Sequence, residues 1–120
     1  MIRVLVTDDS RVMRQIVIRT LRQAGYDWDV TEASDGAEAL ELIRADEPDV
    51  VLSDWNMPEM NGIDLLRRLR AEGFATPFGF VTSEGSPEMR AAAESAGALF
   101  LIAKPFTADG FREVIDPVLA

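Results

Sequence analysis

The stretch VVLSDWNMPEMNG, residues 50–62, decides the fold. Val50 to Ser53 is a short apolar run opened by two β-branched valines, suited to a strand buried on both faces. The run stops at Asp54, turns through Asn56 and Pro58, and reaches Gly62. A helical spacing then takes over at Ile63, Leu65, Leu66 and Leu69, lasts to Glu72 and is ended by Gly73. A buried strand that feeds through a polar turn into an amphipathic helix is the building unit of a parallel α/β sheet.

The same unit recurs on both sides. Ile2 to Thr7 reads as a strand, followed by a helix from Arg11 to Ala24. The apolar residues of that helix fall at Val12, Met13, Ile16, Val17 and Leu21, and Gly25 stands where a C′ residue belongs. Asp29 to Ala33 is a weaker strand. Asp35 and Glu38 form a capping box that opens a helix from Gly36 to Ala45. Phe78 to Thr82 is a fourth strand. Ser86 caps, and Pro87 begins, an Ala-rich helix that runs to Gly97. Ala98 to Ala103 is a fifth strand, and Thr107 caps a last helix toward Leu119. Pro117 removes a backbone hydrogen bond there, so this helix is expected to kink or end near Asp116. Gly110 weakens its first turn, and Gly79 weakens the fourth strand. Five strand–helix units imply an α/β fold, a five-stranded parallel sheet with helices on both faces. Ligands of such sheets gather beyond the carboxyl ends of the strands.

Composition narrows the chemistry. The chain has 120 residues, 21 acidic against 12 basic, for a net charge of −9. Its bases are eleven arginines and one lysine, Lys104. There is no histidine and no cysteine, which excludes a Ser-His-Asp triad, an imidazole base, a thiol nucleophile, disulfides and thiolate zinc sites. The acidic balance argues against nucleic acid and anionic membranes as partners. Ala96 to Ala103 is the longest small or apolar run, far short of the roughly 20 residues of a span. Asp8 and Asp9 follow the first apolar stretch too soon for a signal peptide. Met1 leading directly into the first strand suggests a natural start, and residues 1–120 are expected to form a single, monomeric domain in the cytoplasm.

The reactive side chains fall at the carboxyl ends of the predicted strands. The first strand ends in Asp8-Asp9, the third in Asp54, the fourth in Thr82-Ser83, the fifth in Lys104-Pro105. The second ends in Ser34 and Asp35 and contributes nothing. Taken singly, each has a plain explanation: a cap, a turn former, a solvated amine. One arrangement explains them together. Three converging carboxylates repel unless a cation enters, and few hard oxygen ligands suit Mg²⁺, with Mn²⁺ as a substitute. Lys104 supplies a fixed positive charge and Thr82 a hydroxyl for a phosphoryl group. Asp54 is the nucleophile, since carboxylates form acyl phosphates.

Asp8-Asp9, then Asp54-Trp55-Asn56-Met57-Pro58 with Gly62, then Thr82-Ser83-Glu84, then Lys104-Pro105-Phe106 resemble the response-regulator receiver domain across nearly the whole chain. The Asp-Trp-Asn-Met-Pro run is most similar to the single-domain chemotaxis type. The resemblance implies the sheet order 2-1-3-4-5. It implies that Asp54 accepts a phosphoryl group from the phosphohistidine of a sensor kinase or phosphotransfer protein. Mg²⁺ would be held by Asp9, Asp54 and the backbone carbonyl of Asn56, with Asp8 acting through water. Thr82, Ser83 and Lys104 would contact the phosphoryl group. Asn56 and Glu84 would tune its hydrolysis, and the Lys104–Pro105 bond would be cis. An output protein would bind the face made by the fourth helix, fifth strand and fifth helix.

Two features depart from, or add to, that pattern. The family places Tyr or Phe three residues before the lysine, coupled to the threonine. Here Leu101 stands there, with Phe100 beside it on the opposite face of the strand. Output is therefore expected to use a loop movement or a shift of the fourth helix. The first helix carries Arg11, Arg14, Arg19 and Arg22, with Ile18 expected on the same outward side. Arg11, Arg14, Ile18 and Pro105 are the predicted kinase-docking residues. The remaining alternatives are a phosphate sink without motor output, a haloacid-dehalogenase-like phosphatase and a flavodoxin-like cofactor binder. The phosphatase class expects a second Asp two residues after the nucleophile, where this chain has Asn56. The cofactor binder expects a Ser/Thr/Gly-rich phosphate loop after the first strand, which is missing.

Overall fold

The computed structural model describes residues 1–119. The strands are β1 (Arg3–Thr7), β2 (Asp29–Ala33), β3 (Val50–Ser53), β4 (Phe78–Thr82) and β5 (Phe100–Ala103). The helices are α1 (Arg11–Gln23), α2 (Gly36–Ala45), α3 (Gly62–Ala71), α4 (Pro87–Ala96) and α5 (Ala108–Leu119). All strand pairs are parallel, in the order β2-β1-β3-β4-β5. This is the predicted α/β architecture.

Two apolar layers sandwich the sheet. Leu5, Val51, Phe78 and Phe80 face Leu40, Ile43, Leu65, Leu66 and Leu69 of α2 and α3. Val4, Val6, Leu52, Val81 and Ile102 face Val17, Leu21, Phe111 and Ile115 of α1 and α5. Alternation along each strand produces the two layers, since successive side chains point to opposite faces. Burial on both faces explains why β1, β3 and β4 read as apolar runs without alternation.

Local chemistry sets the helix ends. Ser10, Asp35, Asn61 and Ser86 each accept a hydrogen bond from the backbone amide three residues on. Glu38 completes its box by accepting from Ser34 N at 2.9 Å. Gly25, Gly73 and Gly97 take φ of 97°, 90° and 103° where α1, α3 and α4 stop.

Three local expectations are corrected, and Gly79 gains a packing reason. β5 begins at Phe100, because Ala98 N still bonds Ala93 O and closes α4. Helix α5 continues through Pro117 to Leu119. Pro117 lies in its last turn, where a single lost amide matters least, and Leu119 packs against the α1/α5 layer. Gly79 makes room in its strand: a Cβ there would fall inside the ring of Phe100. The apolar stripe of α1 is rotated by about one position. Ile18 is 6 % exposed and belongs to the core, whereas Val12 is 70 % and Ile16 36 % exposed. In the first turns of α1 only Met13 is half-buried among the apolar side chains.

Candidate functional site

Parallel strands end at one edge, and that edge gathers the predicted residues. Asp8 follows β1 and is 3 % exposed. Its Oδ1 accepts from Ser10 N at 2.9 Å, which ties it to the start of α1. Asp54 follows β3. Its amide donates to Thr7 O at 2.9 Å, and its Oδ1 accepts from Trp55 N at 2.7 Å. Asp9 is exposed beside them. Asp8, Asp9 and Asp54 each present a carboxylate oxygen within 4.8 Å of the others.

Lys104 enters from the end of β5. Its Nζ lies 3.2 Å from Asp8 Oδ2 and 3.6 Å from Asp54 Oδ2. Its amide donates to Thr82 O at 2.8 Å, which locks the end of β5 to the end of β4. The Lys104–Pro105 bond is cis, as the resemblance implied. Burial pushes the Asp8 carboxyl above its ordinary value. The Ser10 amide and the Lys104 ammonium oppose this, and the nearby Asp54 charge adds to it.

The rim comes from two loops. Thr82 is fully buried at the end of β4, and its Oγ1 accepts from Glu84 N at 3.3 Å. Asn56 Nδ2 donates to Glu84 Oε1 at 3.2 Å, joining the β3–α3 and β4–α4 loops. Ser83 is exposed next to Thr82. Leu101 lies on the α2–α4 face of β5 and Phe100 on the opposite face, as strand alternation required.

Two glycines hold the Asp54 loop, and sequence reading gave neither a role there. Gly62 lies against the Asp54 carbonyl, and Gly36 against the Met60 carbonyl; a Cβ at either would overlap that oxygen. Glu59, in the same loop, has φ of 65°. Only the positions of these glycines at helix starts hinted at close approach.

Of the predicted docking residues, Arg11 and Pro105 are exposed. Arg14 donates to Glu32 at 2.9 Å and to the Asp8 carbonyl at 2.7 Å, so it braces the site from within. Ile18 does not face outward. Among the described residues no helix is long and apolar enough to cross a membrane.

The donor set tests well for a hard divalent cation: three clustered carboxylates, one of them buried and electrostatically strained. The family model described as "Response regulator receiver domain" matches residues 4–116. The chemotaxis protein CheY1 of Helicobacter pylori strain J99 is 42 % identical over 98 % of this chain and 96 % of its own length. The chemotaxis protein CheY homolog of Campylobacter jejuni strain 81-176 is 42 % identical over 98 % of this chain and 92 % of its own. The solved structure of Vibrio cholerae chemotaxis protein CheY4 superposes with a TM-score of 0.87 at 36 % identity, covering 99 % of both chains. The receiver domain of the putative response regulator NarL from Mycobacterium tuberculosis gives 0.83 at 33 % identity, covering 97 % of this chain and 94 % of that one. These findings favour phosphorylation-driven signalling over the phosphatase alternative. Fold, acid cluster, lysine and family match converge on one statement: the chain belongs to the receiver domains of two-component response regulators.

Proposed function

We propose that residues 1–120 act as a single-domain receiver in which Asp54 is the phosphoacceptor, with protein binding as the output. The observation that carries this is Lys104 Nζ placed 3.2 Å and 3.6 Å from Asp8 and Asp54. A cation there neutralises the acid cluster at rest and is positioned for an incoming phosphoryl oxygen.

In the transfer, a carboxylate oxygen of Asp54 bonds to phosphorus as the P–N bond of a partner's phosphoimidazole breaks. The imidazole leaves with the bonding pair and takes a proton from solvent. The Trp55 amide fixes the orientation of the Asp54 carboxylate. Lys104 meets developing charge on one phosphoryl oxygen, and Thr82 donates its hydroxyl to another, with Ser83 adjacent. Asp8, Asp9, Asp54 and the Asn56 carbonyl would hold Mg²⁺, or Mn²⁺ in its place. When bound, the metal supplies charge neutralisation for the transferring group. Asn56 and Glu84, already joined at the rim, control water access and hence hydrolysis.

The chain turns over no external metabolite in this reading. The partner is a sensor histidine kinase or phosphotransfer protein. Its docking surface on α1 is centred on exposed Val12 and Ile16, flanked by Arg11 and by Pro105, in place of buried Ile18. The chemotaxis names of the 42 % identical relatives support a motility-type output through the face formed by α4, β5 and α5. The acidic balance and a cytoplasmic site of action fit that role.

Acetyl phosphate with Mg²⁺ tests the reading by mass spectrometry. One acid-stable, base-labile adduct on Asp54, lost in Asp54→Asn, is the expected result. Multiple turnover of a phosphomonoester without such an adduct would return the phosphatase alternative.

A further inference from the structure

The β4–α4 loop is held from two sides. Toward the pocket, Thr82 Oγ1 accepts from Glu84 N at 3.3 Å, and Glu84 accepts from Asn56 at 3.2 Å. On the far side, Arg90 in the first turns of α4 reaches back. Its Nε donates to Gly85 O at 3.2 Å, and its Nη1 donates to Leu101 O at 3.3 Å. One guanidinium therefore joins the loop, α4 and β5. Gly85 fits between the two partners: a methyl there would stand 3.3 Å from the guanidinium and 3.6 Å from Leu101 Cδ2. Leu101 itself has no side-chain donor with which to register the loop's position.

We propose that Arg90 is the positioning residue that carries movement of the β4–α4 loop to helix α4 and strand β5. The inference rests on Asp54 being the phosphoacceptor. A phosphoryl group on Asp54 attracts the Thr82 hydroxyl as a donor. That hydroxyl still accepts from Glu84 N, so Glu84 and Gly85 follow it toward the pocket. The Leu101 carbonyl is fixed by the sheet. The fork of Arg90 cannot keep both carbonyls as they separate, and its bonds are already long at 3.2 and 3.3 Å. Release of Arg90 frees the first turn of α4. It also reshapes the groove of about 440 Å³ between α4 and β5, which Arg90, Glu94, Leu99 and Leu101 help to line. A contact made only in the resting arrangement opposes phosphorylation, so removing it favours the phosphorylated arrangement. A lysine reproduces the charge but cannot bridge two carbonyls as a planar fork does.

The experiment compares the wild-type chain with Arg90→Met and Arg90→Lys, using beryllofluoride with Mg²⁺ as the phosphoryl probe. Binding is titrated, and backbone amide shifts are followed by NMR. In the wild type, shifts are expected in residues 82–86, in α4 and in β5. In Arg90→Met the shifts of Thr82 to Glu84 persist, those of α4 shrink severalfold, and the probe binds about three- to tenfold more tightly, the effect of losing two weak resting-state hydrogen bonds. Arg90→Lys falls between the two. An α4 response in Arg90→Met equal to wild type, or probe affinity that is unchanged or weaker, overturns the proposal while leaving Asp54 as acceptor. Failure of the wild type to bind the probe at all overturns the phosphoacceptor reading and this inference with it.

Discussion

Lys104 Nζ and Asp8 Oδ2 lie 3.2 Å apart, with side chains only 15 % and 5 % exposed. The one lysine of the chain is thus the resident counter-charge of its acid cluster. Lys104→Met leaves Asp8 and Asp54 crowded without compensation. The variant should lose about 1–3 kcal/mol of stability in metal-free buffer at neutral pH, the scale of an unpaired, partly buried charge. Urea denaturation should show the deficit, and added Mg²⁺ should recover part of it. A metal-independent deficit of the same size would mean that Lys104 serves packing alone.

Asp8 gives a pH dependence with a definite sign. Its carboxyl is pushed up from an ordinary value of 3.8, chiefly by burial. The folded state therefore holds this proton more tightly than the unfolded chain. The associated stability is present in full below 3.8 and is lost as pH rises through the folded-state value. Asp8→Asn mimics the protonated form, so it should melt higher than wild type at pH 7 in chelator. That advantage should vanish toward pH 3.

Metal binding acts on the same crowding. Mg²⁺ should raise the melting temperature of the wild type, because it binds only where the three carboxylates converge. Asp9→Asn should remove most of the rise, since Asp9 is the exposed member of the cluster. Differential scanning fluorimetry across a magnesium titration checks both, and a flat titration would separate the acids functionally.

Away from the site, Glu72 staples two helices. Arg44 of α2 donates to it at 2.8 Å, and Arg68 of α3 at 2.7 Å. Hydrogen bonds from Arg44, then from Arg68, hold its carboxyl down at about 2, against an ordinary 4.5. A depressed folded-state value gives stability that is present above 4.5 and lost as pH falls toward 2. Glu72→Gln should therefore flatten the acid limb of the melting profile between those values and leave its alkaline limb unchanged. Both groups are near solvent, so added salt should shrink the difference.

Much of this was legible in the sequence, for identifiable reasons. Strands buried on both faces announce themselves as apolar runs, and caps such as Asp35 with Glu38 mark helix starts within a residue. The site was legible because parallel strands deliver their ends to one edge, so Asp8, Asp54, Thr82 and Lys104 had to meet. Three things were hidden. The rotation of α1 could not be read, because Val12, Ile16 and Ile18 satisfy more than one helical stripe and which stripe meets the sheet is a tertiary fact. The close approaches at Gly36, Gly62 and Gly79 depend on what lies opposite, which no local pattern records. The bridging by Arg90 depends on backbone carbonyls, which every residue possesses.

The rotation of α1 exchanges the roles that the sequence assigned to two positions, Ile18 outward and Val12 inward. Ile18 lies in the core, so Ile18→Asp buries an unpaired carboxylate and removes apolar packing. Loss of an aliphatic core side chain alone costs about 2–5 kcal/mol, so that variant should lose stability whatever it does to signalling. Val12 is 70 % exposed two residues beyond the Ser10 cap, in the first turn of the helix that follows Asp8 and Asp9. Val12→Asp should fold normally. A phosphoryl-donating protein that covers the pocket must cross this turn, and the substitution removes an apolar contact while its negative charge offsets the positive charge of the neighbouring Arg11. Phosphotransfer from the cognate histidine donor should slow by about tenfold, the effect of losing one apolar anchor worth about 1.4 kcal/mol. Labelling of Asp54 by acetyl phosphate should be unchanged, because a small donor needs no docking surface. Equal slowing with both donors would place Val12 in support of the pocket, and no slowing with either would move the docking surface off α1.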